Sequence, residues 1–331
     1  MAGRYLADLL DQARAVRDTA AQLSASGALA RARREVDDSA RLVLTGMGSS
    51  LFALYGLGLR RLAVWIETSE LLHHAADRVD PDARLVIASQ SGETIEVVRL
   101  LERLPRTQRV VGVTNHPAST LARRADVLLP LAAGEEGGVA NKTYVATLAT
   151  ALLLDGAATV EQIGAAADAL DDLLARRDEV ERALLDALGG RPADLFLIGR
   201  GPSYGSALTG SLMLKEGSHT AGQALSGGAV RHGPIEMVSA RTAALLFAPA
   251  GPTGDLTRGL AVDLAAAGAR VAVVGPEPAG NLPLIRTSAL SEHVAPLAEI
   301  AAAELLVIAL ARAKGHEPGV FQRIGKVTTT E

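Results

Sequence analysis

The sequence predicts an α/β fold built from two parallel sheets, each flanked by helices. Three observations lead to it: short apolar runs alternate with helical stretches, the pattern restarts after residue 190, and a run in each half passes straight into a turn rich in glycine. Strands covered on both faces by helices read as continuous apolar runs rather than alternating ones. A length of 331 residues is ample for two cores.

Residues 4–40 hold alanine, leucine and arginine without proline, so 1–40 reads as an N-terminal helical segment. A first α/β domain spans 41–156. Leu42 to Thr45 is a buried strand entering the turn TGMGSS, with a helix from about Leu51. LAVWIET, RLVIAS, VVGVTN and ADVLLPL are further strands, and TIEVVRLLERL and STLARRA are helices between them. TYVATLATALLL is apolar on nearly all sides and reads as a buried helix. Residues 157–190 are charged and periodic, as in connecting helices.

DLFLIGRGPSYGSALTGSLMLKE then repeats the order of RLVLTGMGSSLFALYGLGLRRL. TAALLFAPAG takes the place of RLVIASQSG, and ARVAVVGPE that of RVVGVTNHP. We read an internal duplication, 41–156 and 191–312, followed by a C-terminal tail over 313–331. The copies differ: where the first has SQSGET, the second has APAGPTGD.

Composition excludes several classes. Hydrophobic residues make up 48% and charged residues 21%, which is globular rather than disordered. A net charge of −4 argues against a nucleic-acid footprint. The chain has no cysteine, which removes disulfide and thiolate chemistry and fits a cytoplasmic protein. The N-terminus lacks a secretory apolar region, and no apolar run approaches the ~18 residues of a membrane span. The most apolar late segment, IAAAELLVIALARA, is interrupted by Glu304. Only Lys142, Lys215, Lys314 and Lys326 are lysines among 33 basic residues, so a plain surface-charge role is a weaker explanation for each.

SQSGET (Ser89 to Thr94) carries three hydroxyls, an amide and a glycine where a strand becomes a helix. A helix N-terminus leaves N–H groups unpaired and partly positive. Hydroxyls add rotatable donors, and Gly92 lets backbone approach closely. Together they suit an anion such as phosphate at the carboxyl edge of the sheet. Capping by Ser89 or Ser91 is the plainer reading, but it needs one such residue, not three. Beside this loop, Ser50 in TGMGSS is a second candidate ligand. That turn lacks dinucleotide-motif spacing. GEEGGVANKT (134–143) is a glycine-rich loop that lines a pocket or is an ordinary connection. In LKEGSHTAGQALSGGAVRHGP, Lys215, Glu216 and His219 fall within about one helical turn, and His232 follows beside Gly233 and Pro234. A carboxylate and a histidine suit proton transfer. Spacing alone favours a surface glutamate and a histidine bonded to backbone. At the C-terminus Val320, Phe321, Ile324 and Val327 favour burial around Lys326. A buried lysine with a lowered pKa can attack carbonyls, although a solvated tail lysine is the simpler reading.

These motifs, taken in order, resemble the tandem sugar-isomerase (SIS) domain family, most of all the isomerase half of glucosamine-6-phosphate synthase. SQSGET resembles that family's phosphosugar loop, GVA at 138–140 its pocket loop, LKE…RHGP its catalytic stretch and GKVTTTE its terminus. The resemblance implies two flavodoxin-like three-layer sandwiches acting on a sugar 6-phosphate. It implies that Ser50, Ser89, Gln90, Ser91 and Thr94 bind phosphate and sugar hydroxyls, with Val139 and Gly325 at the same ligand. It assigns Glu216 as the base between C1 and C2, and His232 to ring opening from the neighbouring subunit of a homodimer. Lys326 would hold the open-chain ketose, and the tail would close the active site.

The implied reaction is aldose–ketose isomerisation without metal or organic cofactor, nucleic acid or membrane. Its preferred form is deamination of glucosamine 6-phosphate to fructose 6-phosphate. The alternatives are a plain phosphosugar isomerase, a fructosamine-6-phosphate deglycase and a non-catalytic phosphosugar sensor. Three departures separate the chain from the synthase. Met213 stands where the synthase has a lysine, Asn141 where it has a serine, and Lys142 is shifted. With no cysteine nucleophile, glutamine-dependent amidotransferase activity is not expected.

Overall fold

The structure, a computed structural model, describes residues 3–323, 325–328 and 330. Three helices open the chain: α1 (Arg4–Leu10), α2 (Gln12–Ala25) and α3 (Gly27–Asp37). The first α/β half follows as β1 (Leu42–Gly46), α4 (Ser49–Phe52), α5 (Tyr55–Arg61), β2 (Val64–Glu67), α6 (Thr68–Glu70), β3 (Arg84–Ala88), α7 (Ile95–Arg103), β4 (Arg109–Thr114), α8 (Thr120–Arg124), β5 (Val127–Pro130) and α9 (Lys142–Asp155). Two helices, α10 (Val160–Ala175) and α11 (Arg177–Leu188), lead to the second half. That half holds β6 (Asp194–Gly199), α12 (Ser203–Gly217), β7 (Gly222–Ser226), β8 (Thr242–Phe247), α13 (Gly254–Ala266), β9 (Arg270–Gly275), β10 (Leu284–Arg286) and α14 (Pro296–Ala313).

Both sheets have five strands, all parallel. Their orders are β2-β1-β3-β4-β5 and β10-β9-β8-β6-β7. With β6 to β10 matched to β1 to β5, the two orders are the same, so the duplication seen in the sequence extends to topology. This 2-1-3-4-5 order reverses direction between the first and third strands of each half, β1 and β3 or β6 and β8. Ligands of open α/β sheets bind at that switch point, outside the carboxyl ends of the strands.

Packing divides the chain into two compact units that are discontinuous in sequence. One holds the first sheet, with Arg14–Glu136, Lys142–Gly164 and the chain from Arg323 onward. The other holds the second sheet, with the chain up to Ala13, Gly137–Asn141 and Ala165–Gln322.

In the first unit Val43, Leu85 and Ile87 pack on Val97, Leu100 and Leu101 of α7. Helix α7 starts after Thr94 and stops before Pro105, which forces Leu104 into an extended conformation. Every residue of α9 is buried, as its all-round apolar sequence predicts. That helix ends where Gly156 turns left-handed (φ +69°), and the Arg33 guanidinium takes the Leu153 carbonyl at 2.6 and 2.9 Å.

In the second unit Phe196, Ile198, Leu246 and Val273 pack on Leu260 and Leu264 of α13. Helix α14 is buried from Pro296 to Ala311. Its Glu304 is fully buried and accepts a 2.6 Å hydrogen bond from Gln12 Nε2, so the charge that interrupts the apolar run has a partner. Among the described residues no helix is long and apolar enough to cross a membrane.

Candidate active site

The loop 89–94 leaves the end of β3, beside the turn that leaves β1, at the first unit's switch point. The two turns are close: a methyl group built on Gly46 would lie 2.7 Å from the Ala88 carbonyl. The loop folds on its own side chains. The Gly92 N–H donates to Ser89 Oγ at 3.1 Å, and the Glu93 N–H to Ser91 Oγ at 3.1 Å. Ser89 Oγ also bonds Thr94 Oγ1 at 3.1 Å. The capping reading is therefore corrected: Thr94, not Ser89 or Ser91, is the N-cap of α7, and it makes no side-chain capping bond. Ser91 uses its hydroxyl as an acceptor and keeps its O–H to donate.

The end of β4 and the segment after it support this loop. Thr114 Oγ1 and the Asn115 N–H both donate to the Gln90 carbonyl at 3.1 Å. The Glu93 carboxylate accepts from the Thr120 N–H at 2.6 Å and from its hydroxyl at 2.9 Å. Gln90 Nε2 lies 3.3 Å from His116 Nε2. Gly92 has φ +64°, and a methyl group there would meet Ser119 Oγ at 2.1 Å. Ser50, half-buried in α4, has no hydrogen-bond partner for its hydroxyl among the described residues. Sequence reading missed the supporting run Thr114-Asn115-His116. Its signal was a polar stretch at the end of an apolar strand.

Lys326 belongs to the same unit. Its Nζ is 2.7 Å from Oε2 of Glu136, whose side chain is wholly buried. Glu136 also accepts from the Thr143 N–H at 2.9 Å and the Thr143 hydroxyl at 2.7 Å. The solvated-tail reading of Lys326 is thus corrected, because a buried carboxylate engages it. The Thr328 carbonyl accepts from the Ile95 N–H at 3.1 Å, at the first turn of α7. Gly325 is exposed. The expected burial around Lys326 holds only in part: Phe321 and Val327 are half-buried, but Val320 is 50% exposed. Ile324 lies outside the described residues, as do Thr329 and Glu331 of the closing motif.

The second unit holds the other candidates. Glu216 is half-buried in the last turn of α12. Desolvation holds the neighbouring Lys215 ammonium below the usual lysine range, partly offset by the Glu216 charge. His219 does not share the helical turn with them as expected. It lies past the end of α12 in the left-handed region, φ +48°, because Lys314 Nζ binds the Ser218 and His219 carbonyls and Thr220 Oγ1.

His232 is exposed in the turn just past the short 3₁₀ segment Ala229–Arg231 and before Gly233 (φ +128°), and its ring makes no hydrogen bond among the described residues. The backbone-bonded histidine of the simpler reading is not what the structure has. Val139 is buried, and the adjoining Gly138 (φ +118°) packs against the Gly319 carbonyl. Met213 and Asn141 are wholly buried. All four lysines are held in specific bonds, Lys142 on the Glu135 carbonyl at 2.6 Å and Lys215 on Ser211 Oγ at 2.6 Å. Among the described residues, no group of three or more metal-ligating side chains is clustered.

Comparison with known proteins places the first half. Residues 37–155 match the SIS domain family. The SIS match runs from the end of α3 to the end of α9, so it includes the 89–94 loop. Along 88% of its length the chain is 29% identical to the isomerizing glutamine–fructose-6-phosphate aminotransferase of Zymomonas mobilis, covering 52% of that relative. It therefore spans about half the length of the relative it matches. Two solved structures share the fold. The C-terminal domain of glucosamine-fructose-6-phosphate aminotransferase from Francisella tularensis aligns with a TM-score of 0.84 at 21% identity, covering 98% of this chain and 99% of that one. Glucosamine-6-phosphate deaminase from Thermotoga maritima aligns with a TM-score of 0.78 at 18% identity, covering 98% and 99%.

Proposed function

We propose that the protein is a phosphosugar aldose–ketose isomerase with two SIS-type halves, and that it deaminates glucosamine 6-phosphate. The observation that carries this reading is the 89–94 loop. Its hydroxyls are oriented by the loop's own N–H groups at a helix N-terminus, on the switch point of a SIS-matching sheet. Such a place favours a phosphate dianion through N–H donors, dipole and hydroxyls together.

In the proposed reaction, Ser50, Ser89, Gln90, Ser91 and Thr94 hold the phosphate and sugar hydroxyls, and His232 helps open the ring. Glu216 removes the C2 proton of the open-chain amino sugar and returns it to C1. The product is the C2 imine of fructose 6-phosphate. Water adds to that imine and ammonia leaves, so atoms balance without an oxidant or reductant. Lys326 would contact the open-chain sugar. The exposed ring of His232, which makes no hydrogen bond among the described residues, supports its use in a neighbouring subunit of a homodimer.

The experiment is a panel of hexose and hexosamine 6-phosphates, assayed in parallel for ammonia release and for ketose formation. Ammonia from glucosamine 6-phosphate, in step with fructose 6-phosphate, is the expected result. Ketose formation without ammonia from any amino sugar would remove the deaminase and leave the plain isomerase.

A further inference from the structure

The loop 89–94 has one charged side chain, Glu93, and no cation of its own. A phosphate held there is opposed by that carboxylate, which Arg123 offsets only from 3.9 Å. Besides Arg123, the group that touches the loop and can take up positive charge, among the described residues, is His116. Its ring meets Gln90 because one hydroxyl ties both backbones. Thr114 Oγ1 donates to the Gln90 carbonyl at 3.1 Å and accepts from the His116 N–H at 3.3 Å. The Asn115 N–H also donates to the Gln90 carbonyl, and the His116 carbonyl accepts from the Ser119 N–H at 3.0 Å. With both backbones fixed, the freedom left at this corner is in the two side chains.

The contact itself is between two nitrogens, Gln90 Nε2 and His116 Nε2, 3.3 Å apart. An amide nitrogen only donates, so the ring nitrogen accepts, and the ring is neutral with its proton on Nδ1. Gln90 Oε1 then has no hydrogen-bond partner among the described residues. An imidazolium donates from both nitrogens and cannot accept. Charging His116 therefore requires the Gln90 amide to turn over, so that Oε1 accepts from the ring and the NH₂ group points away from it. Nothing else bonds the Gln90 side chain among the described residues, so the turn breaks no other contact.

We propose that His116 is a positioning residue for the anion loop: its charge decides which end of the Gln90 amide is left for the ligand, an acceptor when the ring is neutral and a donor when it is charged. The charged state suits a phosphate dianion, because a carboxamide NH₂ donates to it and a carboxamide oxygen repels it. Affinity for a dianion thus rises as pH falls through the range in which histidines ordinarily charge, and is lost as pH rises. The other charged groups on the elements around this corner are occupied or distant in role. Glu93 is taken by Thr120, Arg14 by Asp18 at 2.6 Å and Lys326 by Glu136, while Glu96 is buried in α7 and Glu135 is exposed.

The role assigned to His116 rests on the phosphate reading of the 89–94 loop. The test is isothermal titration with inorganic sulfate, which stays a dianion throughout, at about pH 5.5 and about pH 8. The wild type is expected to bind about fivefold tighter at the lower pH, the size of one charge interaction at an exposed site. His116→Ala and Gln90→Ala are each expected to bind equally at both. A wild-type affinity that does not change with pH, or a change that survives either substitution, overturns the proposal. Sulfate binding that Ser89→Ala leaves unaltered overturns the reading of the loop instead. Nitrogen-15 NMR of the ligand-free protein keeps the two failures apart. The Gln90 side-chain amide signals are expected to move with pH in step with the His116 ring, and amide signals that ignore the ring's titration overturn the coupling whatever the loop binds.

Discussion

Glu216→Gln is expected to keep sugar 6-phosphate binding while lowering turnover by about 10²–10⁴, the usual contribution of a positioned general base. The substitution is nearly isosteric. Glu216 lies in the last turn of α12, where the helix dipole disfavours a negative charge, so the melting temperature should not fall. Isothermal titration with a sugar 6-phosphate, beside a measurement of kcat, separates the outcomes. Binding retained with turnover lost supports the base, whereas unchanged turnover removes Glu216 from the mechanism.

Gly92→Ala is expected to damage the anion loop more than any single hydroxyl loss. A non-glycine residue at φ +64° costs about 1–2 kcal/mol by itself. The new methyl group would also meet Ser119 Oγ at 2.1 Å and Ser119 Cβ at 2.6 Å. Rotating the hydroxyl does not relieve the second contact. Ser119 is pinned as well, since its Oγ accepts from the Ala122 N–H at 3.2 Å as the N-cap of α8. The loop must shift, and a loss of about 2–4 kcal/mol in stability, with at least a tenfold weaker KM, is the expected size. Gly259→Ala is the control. It lies within α13 with nothing inside 4 Å of a new methyl group, so a gain of about 0.5–1 kcal/mol is expected. Urea titration and KM measured on both variants decide it. A Gly92→Ala protein with wild-type KM would show that the loop's tight conformation is not used.

Most of the fold was legible because its strands are apolar on both faces. RLVIAS, VVGVTN and TAALLF announce themselves without tertiary information. Strand β7 did not. Its sequence GQALS alternates burial weakly and follows the short, mostly polar stretch GSHTA. Strand β10, three residues long, gave too short a pattern to read. At the site, the density of hydroxyls in 89–94 was visible, but not how they are arranged, since their supports come from the segment after β4.

Glu136 and Glu292 were illegible for a different reason. In the sequence each is an acid in a polar loop. Glu136 gains meaning only when Thr143 and Lys326, 190 residues further on, close around it. Glu292 finds its hydrogen-bond partner, the Thr253 hydroxyl, only across 39 residues of chain. Pairings at such separation leave no local periodicity, while the lysine-poor composition gave an indirect clue that Lys326 is held in a specific bond.

The proposed reaction moves a proton between C1 and C2 of a sugar 6-phosphate. Incubation with fructose 6-phosphate and with glucosamine 6-phosphate in D₂O, followed by proton NMR, tests it directly. Deuterium is expected to enter at C1 or C2 with the wild type and not with Glu216→Gln. A protein that binds these sugar phosphates yet exchanges neither proton, with these or any other hexose 6-phosphate, would contradict it.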